Sequence, residues 1–294
     1  MGTAAKNSIA TYLSSEEAAG LRQRLEGCGY RVTGDSGSFT AAGMQVTVRY
    51  YKNGTLLVQG KATPLFLDQF LKEVVGERYA EPAIGTDEAG KGDYFGPLVV
   101  AGVWADRWAA EALLEAGVQD SKKISDQAAA RLAVEVKTAC PHSVVVVGPR
   151  RYNELYSQMH NLNKMLAWAH ARVIENVLGQ RRCGLAITDQ FGDPALVESS
   201  LMEKGKNLKL VQKPGAEREL PVAAASILAR AEFLERLEAL GKQYGLRLPK
   251  GASEVVEAGR KFVQMHGADK LSLVAKWHFK TTGEVLGGAR PAPG

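Results

Sequence analysis

Cysteine is scarce in this chain. The three that occur, Cys28, Cys140 and Cys183, are odd in number, widely spread, and without a Cys-x-x-Cys pair or a histidine at zinc spacing. A disulfide scaffold and a structural zinc site are therefore not expected, and a reducing cytoplasm fits best. No run of about 18 apolar residues occurs. The opening MGTAAKNSIATYLSSEE lacks an apolar signal core, so neither a membrane span nor export is expected. The Gly-x-x-x-x-Gly-Lys-Ser/Thr loop is also missing, which argues against nucleotide triphosphate hydrolysis of the P-loop kind. Long low-complexity segments and internal repeats are absent as well.

What is there describes a globular protein with real cores. Hydrophobic residues make up 45% and charged residues 23% of 294 positions, a length that suits one large domain beside a smaller one. Lys and Arg outnumber Asp and Glu by 37 to 32, which leans mildly toward a polyanionic partner such as nucleic acid.

The pattern changes along the chain. Residues Ser14 to Gly29 open on a Ser-x-x-Glu capping box and close on glycine, a short helix. Tyr30 to Thr33, Ser38 to Ala42, Gln45 to Tyr51 and Leu56 to Gln59 alternate apolar and polar residues, with Lys52-Asn53-Gly54-Thr55 as a hairpin turn, and Pro64 to Val75 is a second helix. A boundary falls at Glu81-Pro82. Beyond it, strands (Leu98 to Trp104, Ser143 to Val147, Gly184 to Thr188) alternate with helices (Asp126 to Thr138, Leu162 to Leu178, Val222 to Tyr244, Ser253 to Met265), an α/β domain. The expected organisation is a small α+β domain over 1–80, an α/β domain over 83–286 and a disordered tail over 287–294.

The chemistry is carried by carboxylates. Asp87 and Glu88 stand together where an apolar strand meets the turn Gly90-Lys91-Gly92. Desolvating adjacent like charges is costly unless a cation offsets them. Asp189 ends another apolar strand, and neighbouring parallel strands would bring both acids to one sheet edge. Glu217 and Glu219 precede the apolar helix start Val222-Ala223-Ala224-Ala225-Ser226, where an acid also suits the helix dipole. Oxygen ligands without His or Cys point to Mg²⁺ or Mn²⁺, and four carboxylates can hold two such ions about 4 Å apart.

The segment Asp87-Glu88-Ala89-Gly90-Lys91-Gly92-Asp93-Tyr94-Phe95-Gly96-Pro97 resembles the signature of the ribonuclease HIII branch of the type 2 ribonuclease H family. Asp120-Ser121-Lys122-Lys123, Asn161-Leu162-Asn163-Lys164, Ala167-Trp168-Ala169-His170, Thr188-Asp189-Gln190-Phe191, Leu248-Pro249-Lys250-Gly251 and Lys276-Trp277-His278-Phe279 accompany it in the family's order. The resemblance implies a ribonuclease H-like mixed sheet with flanking helices, preceded by a TATA-binding-protein-like domain. It implies two-metal-ion endonucleolytic hydrolysis of the RNA strand of RNA·DNA hybrids, with Asp87, Glu88, Asp189 and Glu217 as metal-binding catalytic carboxylates. Glu219 stays open as the fourth carboxylate, because the spacing to the alanine run is about one residue shorter than the family pattern.

By the same resemblance, backbone groups of Gly90, Lys91 and Gly92 would meet 2′-hydroxyls. Lys122, Lys123, Asn161, Lys164, Lys250 and Lys280 are candidate substrate contacts, as are Arg49, Tyr51 and Lys52 of the leading domain, whose residues 1–80 hold 9 Lys and Arg against 7 Asp and Glu. His170 is expected to hydrogen-bond rather than ligate metal, and Trp168 and Trp277 to pack. A cytoplasmic monomer without an obligate protein partner is expected. The alternatives are incision at single embedded ribonucleotides, as in ribonuclease HII, and hybrid binding without catalysis; Lys91, Glu217 and the leading domain weigh against the first, and the retained acid cluster against the second.

Overall fold

The computed structural model describes residues 7–118, 124–252 and 254–288. Its first strand, β1 (Ser8–Tyr12), leads into α1 (Ser15–Gly27). The Ser14 hydroxyl accepts from the Glu17 amide and the Glu17 carboxylate accepts from the Ser14 amide, the reciprocal cap that the sequence announces. Strands β2 (Arg31–Gly34), β3 (Phe39–Gly43), β4 (Val46–Tyr50) and β5 (Thr55–Gly60) complete an antiparallel sheet in the order β1-β5-β4-β3-β2. The helical run that follows is α2 (Thr63–Phe66), a π-helical turn (Leu67–Leu71) and α3 (Lys72–Arg78). Alternation along β4 buries Val46, Val48 and Tyr50 and turns Arg49 to the open face.

The second sheet has the order β10-β9-β6-β7-β8 and is built from β6 (Ala83–Ala89), β7 (Leu98–Ala105), β8 (His142–Val147), β9 (Leu185–Asp189) and β10 (Lys209–Lys213). It is mixed: β10, β9 and β6 run parallel, while β7 is antiparallel to both β6 and β8. Between the strands lie α4 (Arg107–Ala116), α5 (Asp126–Ala139), α6 (Pro149–Met159), α7 (Leu162–Leu178) and α8 (Pro194–Glu198). A 3-10 turn (Ala216–Arg218) feeds α9 (Leu220–Gln243), and α10 (Val256–His266), a second 3-10 turn (Asp269–Leu273) and α11 (Lys280–Val285) follow. Helix α9 packs on one face of β6 and β7, and α7 covers the other. That double cover explains why β7, LVVAGVWA, is almost uniformly apolar.

One buried apolar cluster runs from Leu21, Phe66 and Val75 of the first sheet's layer to Val99, Leu113 and Val222 of the second, so the two sheets share a core. Several elements differ from expectation. Gln45 belongs to a two-residue turn with Met44, both at positive φ, rather than to β4. The helix expected over Pro64 to Val75 is broken by the π turn, the helix expected from Ser253 begins at Val256, and β1 and β10 were not foreseen. Of the tail expected to be disordered, Gly287 and Gly288 form a turn and the rest lies outside the described residues.

Candidate active site

Strands β6 and β9 are parallel neighbours with Thr86 opposite Thr188, so Asp87 and Asp189 follow at the same sheet edge. Alternation along β6 sends Gly85 and Asp87 toward α9, and Thr86 and Glu88 toward α7. The approach of α9 depends on a missing side chain: a Cβ on Gly85 would lie 2.2 Å from both Pro221 C and Val222 N. The helix therefore lies directly on the strand, and its Ser226 hydroxyl hydrogen-bonds Asp87. Burial first, and the neighbouring Glu88 charge second, push the Asp87 carboxyl up to about 6.

On the other face Glu88 meets His170 Nε2 at 3.2 Å and Lys91 Nζ at 3.3 Å. Burial works to raise the Glu88 pKa, but the His170 hydrogen bond and charge, with Lys91, bring it down to about 2. His170 is fully buried on α7; its Nδ1 lies 2.8 Å from Thr86 Oγ1 and 3.4 Å from Thr188 Oγ1, and its ring stacks on Phe191. This is the hydrogen-bonding role expected of it.

Asp87, Glu88, Asp189 and Glu217 line one cavity of about 380 Å³ together with Gly90, Lys91, Gly92, Asp93, Ser226, Arg230 and Lys250. Glu219 does not line it: its carboxylate is held by the Tyr79 hydroxyl at 2.9 Å and Lys213 Nζ at 2.7 Å. The donor set is all hard oxygen with two half-buried acids in sequence, which fits Mg²⁺ or Mn²⁺. Among the described residues no three acidic, His or Cys side chains stand close enough to grip one ion. An ion that keeps several waters and takes substrate phosphate as a ligand suits such an open set.

Comparison with known proteins decides the family. Residues 84–282 match the family described as Ribonuclease HII. Ribonuclease HIII of Protochlamydia amoebophila is 39% identical over 260 residues, 85% of this chain and 86% of the relative's. Ribonuclease HIII of Chlamydia felis is 39% identical over 293 residues, 95% of this chain and 97% of its own. The crystal structure of Bst-RNase HIII in complex with Mn²⁺ is 29% identical, with a TM-score of 0.70 over 97% of this chain and all of that one. The chain belongs to the ribonuclease HIII family. Because that structural likeness spans nearly the whole length, the ribonuclease HIII fold here includes the leading sheet as well as the ribonuclease H-like one.

In this ribonuclease HIII fold the glycine turn separates two demands. Gly90 has φ +84 and a Cβ there would fall 2.1 Å from Pro97 O, so the turn itself requires glycine. Gly92 is exposed with nothing within 4 Å of a Cβ, leaving its backbone open to the cavity. Asn161 caps α7, its Oδ1 accepting from the Asn163 and Lys164 amides, and neither it nor exposed Lys164 lines the cavity. Lys250 does, held by Asp126 at 2.5 Å beside Arg230, while Lys280 is exposed at the start of α11. Arg49, Tyr51 and Lys52 are exposed on the leading sheet and its hairpin; Lys122 and Lys123 lie outside the described residues.

Sequence reasoning missed two supports. Ser226 sits in a quoted motif, but only the contact of α9 with β6 shows what it touches. Lys276 is wholly buried and donates to Asp93 O at 2.7 Å and Gly96 O at 2.8 Å, bracing the loop that follows the acidic pair. Burial lowers its pKa to about 7.

Proposed function

We propose that Asp87, Glu88, Asp189 and Glu217 are the catalytic, metal-holding carboxylates of this enzyme, and that the Gly90-Lys91-Gly92 turn reads the ribose hydroxyls of the strand to be cut. The activity is endonucleolytic hydrolysis of the RNA strand of RNA·DNA hybrids, dependent on Mg²⁺ or Mn²⁺, leaving 3′-hydroxyl and 5′-phosphate ends. The observation that carries the site assignment is the single cavity on which the four acids and the glycine turn border.

Divalent ions held there supply a Lewis acid for the attacked phosphate and ease deprotonation of water at neutral pH. The protein's share is positioning. Asp87 and Glu88 enter from β6, Asp189 from β9, and Glu217 from the turn before α9. His170 and Lys91 hold Glu88 ionised, and the bare backbone at Gly92 admits close approach of a 2′-hydroxyl, which both donates and accepts. Glu217 is favoured over Glu219 because Glu219 is committed elsewhere.

The proposal assigns residues 1–80 to substrate binding and 83–286 to catalysis. Arg49 on the open sheet face, with Tyr51 and Lys52 at the hairpin, would contact hybrid phosphate and base, as would Lys122, Lys123, Asn161 and Lys164 from the larger part. Supporting this, the leading helices cover only one face of their sheet. We propose a monomer acting in the cytoplasm, a reading supported by a cavity lined from one chain and by cysteines that form no disulfide; gel filtration and fractionation test both.

The test is cleavage of a labelled RNA·DNA hybrid, with single-stranded RNA, RNA duplex and DNA duplex as controls, in Mg²⁺, Mn²⁺ and EDTA. Hybrid-only, metal-dependent cutting, lost in variants of the four acids, is the expected result. Wild-type cleavage by Glu217→Gln together with loss in Glu219→Gln would reverse the choice of fourth carboxylate. A duplex with a single embedded ribonucleotide, cut as fast as a long hybrid tract, would move the specificity to that of ribonuclease HII.

A further inference from the structure

The turn that bears Glu217 is short. It leaves the edge strand β10 at Lys213, passes Gly215 at φ +72, makes one 3-10 turn and enters α9 at Leu220. The start of α9 carries no side-chain cap of its own, since the side chain of Glu219, at the capping position, bonds none of the helix amides. The first amides of a helix lack partners within it and need acceptors from outside. Here the Leu220 amide donates, at 3.0 Å, to the hydroxyl of Tyr79, the residue at the C-cap of α3 of the leading part. The same hydroxyl donates at 2.9 Å to Glu219, whose other oxygen takes Lys213 Nζ at 2.7 Å. Tyr79 is 2% exposed, so both its donor and its acceptor capacity are spent on the two residues that close the Glu217 turn.

A second contact from the leading part reaches the same turn. The Arg218 guanidinium lies 5.2 Å from the centre of the Tyr12 ring, and the Tyr12 carbonyl accepts from Arg78 at 3.0 Å. Glu217 thus stands on a wall with two sides. One faces the acidic cavity; the other faces a crevice of about 140 Å³ against β1 and the β4–β5 hairpin.

We propose that Tyr79 is a positioning residue that caps α9 across the two sheets and thereby sets where Glu217 stands relative to Asp87, Glu88 and Asp189. The leading part then does more than add affinity for hybrid: its docking completes the cavity. This rests on the reading of Glu217 as a metal-holding carboxylate.

The experiment uses the full chain with Tyr79→Phe, which keeps the ring and removes the hydroxyl. Steady-state cleavage of hybrid, hybrid affinity in EDTA and calorimetric titration with Mn²⁺ alone are measured well below the thermal midpoint, which is determined separately for each variant. The expected result is a kcat reduced roughly 10-fold and weakened Mn²⁺ binding, with KM and hybrid affinity unchanged, the scale typical of groups that orient metal ligands. A lowered thermal midpoint with wild-type kcat and Mn²⁺ affinity would reduce Tyr79 to a structural role and overturn the proposal. Glu219→Ala, which leaves the Tyr79 hydroxyl on Leu220, is expected to show the same split more weakly and keeps the question open to test if Tyr79→Phe does not fold; wild-type kcat and Mn²⁺ binding in it would count against the clasp. Glu217→Gln run alongside separates the two readings. If it binds Mn²⁺ and cleaves as wild type, the assignment of Glu217 fails; if it is impaired while Tyr79→Phe is not, only the positioning role fails.

Discussion

Glu88 Oε2 lies 3.2 Å from His170 Nε2, and the opposite ring nitrogen of that histidine is 2.8 Å from the hydroxyl of Thr86, two residues before Glu88 on the same strand face. A carboxylate only accepts, so the nitrogen facing Glu88 carries a proton. Both ends of the ring are anchored on β6, and Phe191 covers its face. His170 therefore fixes the rotamer of Glu88.

His170→Phe keeps the stacked ring and loses both nitrogens. It is expected to lower kcat by roughly 10- to 100-fold, as removal of groups supporting metal ligands does, while leaving hybrid affinity in EDTA as it was. Single-turnover cleavage at saturating enzyme checks this, and an unchanged rate would remove His170 from the site.

Asp87→Asn is expected to abolish cleavage and to stabilise the fold. Burial and Glu88 hold the Asp87 carboxyl up to about 6, so its charged form is a cost near pH 7 that the amide avoids. The thermal midpoint measured without metal should rise by about 2–4 °C. A lower midpoint would mean that the Ser226 hydrogen bond outweighs the repulsion.

The two glycines of the turn should part company. Gly90→Ala puts a side chain at φ +84 and against Pro97 O, which costs at least about 1–2 kcal/mol. Gly92→Ala meets open space and should stay within about 0.5 kcal/mol of wild type in urea unfolding while lowering hybrid cleavage. Equal destabilisation by both would show that Gly92 also serves the turn.

Lys276 predicts a pH dependence. Between its folded pKa of about 7 and its ordinary 10.5 the unfolded chain holds a proton that the folded chain has shed, so this group makes stability rise with pH across that window. A neutral amine has two N–H donors, which match the two carbonyls it serves. Comparing wild type with Lys276→Met by urea unfolding from pH 7 to pH 9, the wild type should gain relative to the variant; parallel curves would show that the lysine stays charged.

The acidic pair was legible because Asp87 and Glu88 interrupt an apolar strand, an arrangement with few physical excuses. Asp189 was legible for the same reason, and the α/β class followed from alternating strands and helices, whereas the mixed sheet was implied by the family resemblance, because alternation alone does not announce that β7 runs antiparallel to its neighbours. Glu217 and Glu219 could not be separated from spacing, because the difference lies in Tyr79 and Lys213, distant and near in sequence respectively. Lys276 was opaque, since a lysine reads as solvated until its surroundings are known. Strand β10, LeuValGln between two lysines, is too short and polar to stand out, and β1 gains its meaning only by pairing with β5. The π turn at Leu67–Leu71 leaves no mark in an apolar period that continues through it.

Gly85 gives the site a mechanical character. At Gly85 backbone rests on backbone, and no side chain stands between α9 and β6 there. Ser226 and the Glu217 turn are therefore registered against Asp87 as teeth on one casting, and an error in seating the helix would displace them together. A methyl group at position 85 would spread the two parts of the jaw without touching any carboxylate.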